Sequence, residues 1–293
     1  MKKLLLLVNP VAGRTSISAQ MINVIDTFVK ADYDVTVVTT QSKEHLIKVL
    51  ETRSAEFEVV VCCGGDGTLN ITVDTLCRIE NPPKLGYIPC GTTNDFAKSR
   101  GISGIPIDAA EQIVFGKDHM VDVGMFGNKA YIYVAAFGVF TDASYGTPRQ
   151  LKQDIGRAAY LIEGVRSFVT KTDYHIRFEV DGEVLEGDFM YGMSSNTNRI
   201  GGFDLPLISN FEIHNGMLDV TLVKAVKSPV DNTDLINALV TQQADDKMIY
   251  QFRAKTISYV SDIEIPWTLD GEYGGSHKEM TLSIKEGCID MLY

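Results

Sequence analysis

A glycine-rich segment with one carboxylate, Gly64-Gly65-Asp66-Gly67-Thr68, follows the apolar run Val59–Cys63. Glycine lets the backbone adopt positive φ angles and lets a bulky anion approach main-chain N–H groups. A helical pattern follows, with Leu69 and Val73 on one face, and a helix N-terminus adds partial positive charge. A carboxylate repels a phosphate but suits a divalent cation that bridges to phosphates. Asp66 is therefore a candidate metal-organising residue in a phosphate site, and the alternative is a tight Asp-Gly turn.

A second polar loop, Pro89-Cys90-Gly91-Thr92-Thr93-Asn94-Asp95-Phe96-Ala97, also follows an apolar segment. The hydroxyl groups of Thr92 and Thr93 suit phosphate oxygens, and the carboxylate of Asp95 suits a metal or its water shell. The alternative is structural, because Thr93 or Asn94 is a good helix N-cap and Asp95 would complement the helix dipole.

A third loop, Asn9-Pro10-Val11-Ala12-Gly13, ends the apolar run Leu4–Val8. It is weaker evidence of a site, because Asn-Pro and Gly end many strands. Asp122 follows a short apolar segment, and by itself it is typical of a surface carboxylate.

Motifs of several other enzyme classes are absent from the sequence. There is no GxxxxGK(S/T) phosphate loop and no GxGxxG after the first predicted strand, which argues against Walker-type enzymes and NAD dehydrogenases. No GxSxG elbow is present, which argues against a serine hydrolase. None of the five histidines has a second His or Cys at metal-ligand spacing.

Composition indicates a globular protein of the cytoplasm. The length of 293 residues favours two domains. The net charge of −11 argues against nucleic-acid binding and against broad adhesion to anionic membranes. The five cysteines, an odd number, predict no disulfide framework and no CxxC metal pair. No apolar run approaches the roughly 18 residues that span a bilayer.

The first part of the sequence alternates apolar runs with helical patterns, as in Leu4–Val8 followed by Ile17–Val29. This alternation predicts βαβ units and a doubly wound parallel sheet in a nucleotide-binding α/β domain, which we assign to residues 1–125. In such a sheet the functional loops lie at the carboxyl ends of the strands. All three polar loops fall there.

From Met120 onward, β-branched and aromatic residues alternate with polar ones. The segments His175–Val180 and Glu183–Leu185 flank Asp181-Gly182, a hairpin pattern. We therefore expect an antiparallel β-sandwich that binds the substrate over residues 126–293, with the last few residues free to return to the N-terminal domain. The cleft between the two domains is the default ligand site.

One helical pattern interrupts the β region, with Leu151, Ile155 and Ile162 on one stripe. Basic and aromatic residues share this segment: Arg149, Lys152, Arg157, Tyr160, Arg166, Phe168 and Lys171. A local basic surface of this kind could dock on anionic headgroups. The alternative is a helix that packs its aliphatic stripe on the sandwich and leaves its basic residues solvated.

Three motifs, Asn9-Pro10-x-x-Gly13, Gly64-Gly65-Asp66-Gly67-Thr68 and Gly91-Thr92-x-Asn94-Asp95-Phe96-Ala97, resemble those of the diacylglycerol kinase catalytic family in type and order. This family includes soluble bacterial lipid kinases and the sphingosine and ceramide kinases. Its N-terminal domain is related to those of NAD kinases and phosphofructokinases. The resemblance extends through Asn215–Val220 to Leu269–Glu272.

The resemblance implies an ATP-dependent, Mg²⁺-requiring lipid kinase that meets its lipid by peripheral contact with a membrane, with diacylglycerol as the expected acceptor. The implied nucleotide-binding residues are Asn9, Pro10, Gly13, Thr40, Gly64, Gly65, Asp66, Gly67, Thr68, Asn70, Thr92, Thr93 and Asn94. The residues implied to organise the catalytic Mg²⁺ are Asp66, Asp95 and Asp122. The sequence does not determine the oligomeric state, so a homodimer remains an alternative to a monomer.

The tripeptide Asp-Gly-Glu occurs twice, at 181–183 and at 270–272. Both copies are hairpin turns on physical grounds, and only their order relative to the other motifs favours the second. The resemblance implies that one carboxylate of this turn acts as the base toward the lipid hydroxyl. Both Asp270 and Glu272 remain candidates for that role.

The resemblance also implies a structural magnesium in the β domain, with Glu212 and Met217 as carbonyl ligands. The third ligand is Asn215, where the bacterial members have an aspartate. A neutral amide ligates through its oxygen but supplies no charge to hold a hard cation. The sequence therefore leaves the occupancy of this site open.

Two other functions remain compatible with the sequence. One is a kinase of another acceptor, such as a sphingoid base, phosphatidylglycerol or NAD, because the Gly-Gly-Asp-Gly-Thr motif is shared. The other is a non-catalytic regulator that binds a nucleotide or a lipid. The carboxylates of Asp66, Asp95 and Asp270 argue against a regulator, since a protein that only binds has no need for so many uncompensated charges.

Overall fold

The computed structural model describes residues 1–12, 16–138, 173–196, 199–200, 203–204, 216–241 and 247–293. The helices in these ranges are α1 (Ser16–Lys30), α2 (Lys43–Arg53), α3 (Asp66–Leu76), α4 (Asp95–Arg100), α5 (Pro106–Phe115) and α6 (Pro229–Thr241). The strands are β1 (Lys2–Val8), β2 (Tyr33–Thr39), β3 (Val59–Gly64), β4 (Lys84–Pro89), β5 (Asp118–Phe126), β6 (Lys129–Tyr131), β7 (Val134–Gly138), β8 (Tyr174–Val180), β9 (Glu183–Ser195), β10 (Arg199–Ile200), β11 (Phe203–Asp204), β12 (Leu218–Lys224), β13 (Ile249–Ala254), β14 (Thr256–Leu269) and β15 (Glu272–Leu292). The predicted helical stripe and basic surface at 149–171 lie outside the described residues.

The N-terminal strands pair in parallel, in the order β2-β1-β3-β4. Leu4, Leu5 and Leu6 of β1 are fully buried, as expected of a strand covered on both faces. Helix α1 contacts α5, and α2 contacts α3. Strands β3 and β4 therefore carry the two predicted polar loops at neighbouring carboxyl ends.

The C-terminal strands pair antiparallel, in the order β13-β12-β9-β7-β14-β15, with β8 between β9 and β14. Buried and exposed residues alternate along β8, which places its aromatic side chains on the core. The predicted hairpin is present, with Asp181 at φ 47° and Gly182 at φ 94° between β8 and β9. Positive φ at both central residues is typical of a type I′ turn.

The buried side chains form two large clusters and one small one. One cluster surrounds β1, β3 and β4, and the second surrounds Trp267 of β14 together with Phe137 and Phe178. A smaller cluster lies under α6. Two large cores support a two-domain arrangement with a β-sandwich-like C-terminal part.

Strand β15 joins the two parts in one sheet. It pairs with β14 and β5, and at Met291 it pairs in parallel with β4. Through this pairing, the two parts form one 13-stranded sheet in the described part of the chain. The sequence analysis allowed the last few residues to return to the N-terminal domain, and Met291 and Leu292 do pair there with Leu85 and Gly86. It did not predict that this return joins the two parts in one continuous sheet.

A disulfide joins Cys77, just after α3, to Cys288 of β15. The prediction of a chain without disulfides is therefore wrong. The two cysteines are 211 positions apart, and their Cα atoms are 6.0 Å apart only because β15 returns to the N-terminal part. Spacing along the sequence cannot reveal a pair of this kind.

Three elements differ from the sequence prediction. The alternating pattern of the sequence predicts one strand over Tyr131–Phe137, whereas the structure has β6 and β7 there, separated by a bend at Ile132 and Tyr133. The sequence pattern also predicts separate strands over Thr256–Val260 and Ile263–Ile265, which form the single strand β14 in the structure. Helix α6 was not predicted in the β region, although Asp231 caps its first turn by accepting hydrogen bonds from the N–H groups of Lys227 and Ser228.

Within the described ranges, no helix combines the length and apolar character needed to cross a membrane.

Candidate active site

The β3–α3 turn places the N-terminus of an 11-residue helix at the first glycine-rich loop. The N-cap residue is Gly65, which has no side chain to accept a hydrogen bond from the first N–H groups of the helix. The side chain of Asn9 donates a hydrogen bond of 2.9 Å to the Thr68 hydroxyl, so that the loop after β1 is tied to the same turn. Unsatisfied N–H groups at a helix N-terminus form a suitable anion site.

Asp66 joins this turn to the second polar loop. Its carboxylate accepts hydrogen bonds from the main-chain N–H groups of Asp95 (3.1 Å) and Phe96 (3.3 Å). Asn94 stands at the N-cap position of α4 without a side-chain cap, so Asp66 supplies the missing acceptor. Asn94 is thus the N-cap residue, as the structural alternative expected, but its side chain makes no cap hydrogen bond.

Two carboxylates lie close together at this point. Burial raises the pKa of Asp66 and the nearby charge of Asp95 raises it further, while the hydrogen bonds from the N–H groups of Asp95 and Phe96 lower it. The Asp95 side chain is buried, with 3% of its surface exposed. Two neighbouring acids in a partly buried position are electrostatically costly without a cation.

The described residues contain no group of three or more His, Cys, Asp and Glu side chains that could hold a metal ion by themselves. A pair of carboxylates nevertheless fits Mg²⁺, which keeps several waters and is commonly held by one or two carboxylates together with substrate phosphates. Asp66 and Asp95 therefore suit a cation that arrives with a phosphate ligand.

The two glycine loops are in direct contact. A Cβ atom on Gly91 would lie 2.7 Å from the Cα atom of Gly65, so this approach requires glycine. The side chain of Asn94, at φ 50°, accepts from the N–H of Gly91 and donates to its carbonyl. Just before the loops, the sulfur atoms of Cys63 and Cys90 are 3.1 Å apart.

The turn at Asp270 and Gly271 brings the C-terminal part to the same place. Asp270 (φ 51°) and Gly271 (φ 85°) join β14 to β15. The Asp270 carboxylate is buried and accepts hydrogen bonds from the N–H groups of Ile132 (2.7 Å), Tyr133 (3.0 Å) and Val134 (2.9 Å). Burial raises the pKa of Asp270 to about 6, although these hydrogen bonds oppose the rise. Glu272 follows the turn with an exposed side chain.

A cavity of about 720 Å³ lies between the N-terminal and C-terminal parts. The glycine-loop side of its wall is formed by Asn9, Gly67, Thr68 and Asn70. The opposite wall includes Glu272 and Tyr273 at the start of β15. Lys43, Asp74, Arg78 and Lys129, which the sequence analysis did not single out, also line it.

Tyr133 is the residue that relates the acidic side chains to one another. Burial raises the pKa of its hydroxyl, and the charges of four carboxylates, those of Asp270, Asp66, Asp95 and Glu272, raise it further. The charges of these four acids thus act on the hydroxyl of one buried tyrosine, and Asp270 is hydrogen bonded to that residue. The structure brings together carboxylates that are far apart in the sequence.

Other predicted residues have different surroundings. Asp122, like Asp66, Asp95 and Asp270, is not among the residues that line the cavity. Its carboxylate accepts hydrogen bonds from the N–H groups of Gly216 (3.1 Å) and Gly287 (2.8 Å). The buried hydroxyl of Thr40 donates to the carbonyl of Val8. Pro10 and Thr92 are exposed on their loops, and Thr93 is half-buried. Gly13, Glu212 and Asn215 lie outside the described residues, whereas Met217 is half-buried before β12.

Gly67 offers a test of the phosphate site that separates stability from binding. A Cβ atom there would have no neighbour within 4 Å, and the residue lies in the first turn of α3. Since alanine is the better helix former, we expect Gly67→Ala to raise the unfolding free energy by up to about 1 kcal/mol. If this helix end binds the phosphates of ATP, as the sequence resemblance implies, KM for ATP should rise by about tenfold, because the added methyl group enters the cavity beside the N–H groups.

Chemical denaturation and initial rates at varied ATP concentration measure the two effects of Gly67→Ala. Gly91→Ala is the matched comparison, since its Cβ would collide with the Gly65 backbone and should lower stability. A Gly67→Ala protein with unchanged KM for ATP would contradict the assignment of this helix end to phosphate.

Comparison with known proteins gives the family. Residues 3–126 match the diacylglycerol kinase catalytic domain, and residues 137–292 match the YegS C-terminal NAD kinase beta sandwich-like domain. The chain is 30% identical to a diacylglycerol kinase of Bacillus subtilis (strain 168) over 277 residues. This alignment covers 94% of this chain and 91% of the relative. A diacylglycerol kinase of Staphylococcus carnosus (strain TM300) is 28% identical over 287 residues, or 97% of this chain and 93% of the relative.

Solved structures show the same fold. A crystal structure from Bacillus anthracis (strain Sterne) superposes with a TM-score of 0.84 at 23% identity, over 100% of this chain and 97% of the other. A second, of a diacylglycerol kinase from the same organism, has a TM-score of 0.78 at 22% identity with the same coverage. Because both domain models match and a curated relative is 30% identical over 94% of the chain, the chain belongs to the diacylglycerol kinase catalytic family and is a kinase.

Proposed function

We propose that this kinase transfers the γ-phosphoryl group of ATP to the hydroxyl of diacylglycerol, giving phosphatidic acid and ADP. The observation that carries the proposal is the shared cavity, whose walls hold both the glycine-loop residues Gly67 and Thr68 and the carboxylate of Glu272. The relatives named diacylglycerol kinase support the choice of acceptor. Phosphoryl transfer requires positioning and charge neutralisation more than covalent assistance, and such a cavity supplies both.

The nucleotide phosphates are assigned to the α3 N-terminus and to the loops that adjoin it. Asn9 and Thr68 are already joined by a hydrogen bond and present polar atoms to the cavity. The proposal also includes Pro10 and Gly13 of the loop after β1 and Thr92 and Thr93 of the loop after β4. Thr40, which directly follows β2, is included as the resemblance implies. Helix pairs α1/α5 and α2/α3 support the further inference that the sheet beneath them is doubly wound.

We assign Mg²⁺ to the carboxylates of Asp66 and Asp95. When bound, the ion would neutralise charge on the transferred phosphoryl group and its leaving oxygens. We do not assign Asp122 as a direct ligand of this ion, because both of its carboxylate oxygens accept hydrogen bonds from main-chain N–H groups. A second magnesium at Glu212, Asn215 and Met217 also stays a proposal.

Glu272 is assigned as the general base. Its side chain is exposed at the cavity wall, whereas the Asp270 carboxylate is buried and occupied by hydrogen bonds. Glu272 takes the proton of the lipid hydroxyl as its oxygen bonds to the γ-phosphorus. The bond from that phosphorus to the bridging oxygen breaks, and ADP leaves with the electron pair.

A phosphate-transfer assay with several acceptors tests this function. Purified protein receives radiolabelled ATP and Mg²⁺ with diacylglycerol, sphingosine or phosphatidylglycerol in mixed micelles, or with NAD in solution. We expect labelled phosphatidic acid with diacylglycerol and loss of the product when EDTA removes Mg²⁺. Label in NAD alone would indicate a kinase of a soluble acceptor, and no label in any acceptor would indicate a regulator.

Access to diacylglycerol requires peripheral contact with a membrane. The basic segment 149–171 is the proposed contact, on the basis of its composition. Co-sedimentation with vesicles tests it, and we expect binding to increase with the fraction of anionic lipid. Binding that does not depend on lipid charge would contradict this surface.

A further inference from the structure

The carboxylate of Asp270 is engaged within the protein more fully than a proton acceptor should be. It accepts from three consecutive N–H groups, those of Ile132, Tyr133 and Val134, and a fourth hydrogen bond comes from the side-chain amide of Asn70. Only 7% of the residue is exposed. A buried carboxylate with four N–H donors is stabilised where it stands and is poorly placed to exchange protons with a substrate.

The main chain of Asp270 is held as well. Its N–H donates to the carbonyl of Val134 at 2.8 Å, and its carbonyl accepts from the Tyr133 hydroxyl at 2.6 Å. Tyr133 therefore contacts the turn twice, through its own N–H and through its hydroxyl. These contacts explain the bend between β6 and β7, because three successive N–H groups turn toward one side chain instead of toward a neighbouring strand.

The contact with Asn70 links the turn to the phosphate site. Asn70 belongs to α3, the helix that begins at Asp66, and its amide also reaches the carbonyl of Ala130. One side chain of the glycine-loop helix thus contacts both strand β6 and the turn that leads into Glu272. Any displacement of α3 relative to β15 would have to break these hydrogen bonds.

The exposed copy of the same tripeptide shows what this arrangement does without a catalytic role. Asp181 accepts hydrogen bonds from the N–H groups of Lys255 (3.1 Å) and Thr256 (2.9 Å) and donates its own N–H to Thr256. In both copies the aspartate fixes a turn to the neighbouring segment. Only the copy at Asp270 is buried and extended by a tyrosine hydroxyl and an asparagine.

We propose that Asp270, Tyr133 and Asn70 are positioning residues that fix the Glu272 turn against α3, so that the base holds the acceptor hydroxyl at a set distance from the γ-phosphate. The proposal rests on the assignment of Glu272 as the base. Tyr133 acts through the carbonyl of Asp270 and has no contact with substrate in this role. Displacement of a base by about 1 Å can lower the rate by two orders of magnitude, so hydrogen bonds that hold the turn in place can affect kcat. We call the hydrogen bonds that Asp270 makes with Tyr133 and Asn70 the brace.

The first test removes one hydroxyl. We expect Tyr133→Phe to lower kcat by about five- to tenfold, the equivalent of one hydrogen bond, with KM for ATP unchanged. In a Glu272→Gln background the same change should lower kcat by less than about twofold, because there is no longer a base to position. An equal loss in both backgrounds would indicate a general structural effect and would overturn the proposal.

The second test does not depend on activity. Amide hydrogen exchange of residues 270–273 should become faster in Tyr133→Phe and in Asp270→Asn, with little change in the strands of the N-terminal sheet. Asp181→Asn is the matched control, since it should speed exchange only near its own turn and leave kcat unchanged. Unaltered exchange at 270–273 in both variants would overturn the brace.

These measurements also separate the inference from the proposed function. A wild-type protein that phosphorylates no lipid would refute the function, while hydrogen exchange would still decide whether the brace exists. If Asp270→Asn abolished turnover and Glu272→Gln did not, Asp270 would be the base and the positioning role would be overturned.

Discussion

We expect Glu272→Gln to lower kcat for lipid phosphorylation by about 10²- to 10⁴-fold, which is the usual contribution of a general base. Glutamine keeps the size and polarity of the side chain but accepts no proton. The fold should be unaffected, since Glu272 is exposed and follows a turn that Asp270 holds independently. KM for ATP should stay within about twofold, because the lost interaction concerns the acceptor hydroxyl. Steady-state kinetics with diacylglycerol micelles measure both constants.

Glu183→Gln is the matched control for this experiment. Glu183 follows Asp181 and Gly182 in the same kind of turn, with positive φ at both residues, but it stands exposed at the start of β9. It should leave kcat unchanged. Glu272→Gln with wild-type kcat, or an equal loss in both variants, would remove Glu272 from the mechanism.

The two copies of the tripeptide show where sequence reasoning reaches its limit. Local physics predicts a type I′ turn at both, and the structure has a turn with positive φ at both. What distinguishes them is burial and tertiary partners, since Asp270 is 7% exposed and Asp181 contacts only exposed backbone. No property of three residues determines which turn will face a cavity. The order of motifs along the chain identified the second copy.

The glycine loops were predictable because their chemistry is local. An apolar run, glycine and a helical pattern together determine a strand that ends at a helix N-terminus, and the structure places Asp66 at that position. Parallel pairing of β3 with β4 then brings the second loop alongside the first. For this reason the closeness of Asp66 to Asp95 followed from the sequence pattern.

Tyr133 could not have been found in this way. In the sequence it is one apolar residue in a run that resembles a strand, and only the pairing of β7 with β14 sets it against Asp270. The Cys77–Cys288 disulfide has the same origin, since it forms where β15 returns to β4, a return that the sequence analysis allowed for the last few residues without giving its register. Each depends on a contact between segments more than 130 positions apart. Local periodicity carries no information about such contacts.

Asp66→Asn should lower kcat by about 10³-fold, the loss expected when a metal ion worth several kcal/mol of transition-state stabilisation is weakened. Asparagine retains one oxygen that can accept from the N–H of Asp95 or Phe96, so the cap on α4 is kept in part. We expect the unfolding free energy to fall by only about 1 kcal/mol, because one of the two hydrogen bonds is lost. The Mg²⁺ concentration for half-maximal rate should rise, and activity titrations against Mg²⁺ measure it.

Asp231→Asn provides the comparison that separates capping from chemistry. Asp231 also accepts two main-chain N–H hydrogen bonds at the start of a helix, but α6 packs on the small cluster around Leu235 and does not line the cavity. The two aspartates thus share a structural role and differ in their distance from the phosphate site. If both variants lost activity in proportion to their loss of stability, Asp66 would be only a cap. A large loss of kcat and an altered Mg²⁺ requirement confined to Asp66→Asn require that its charge acts on the reaction itself.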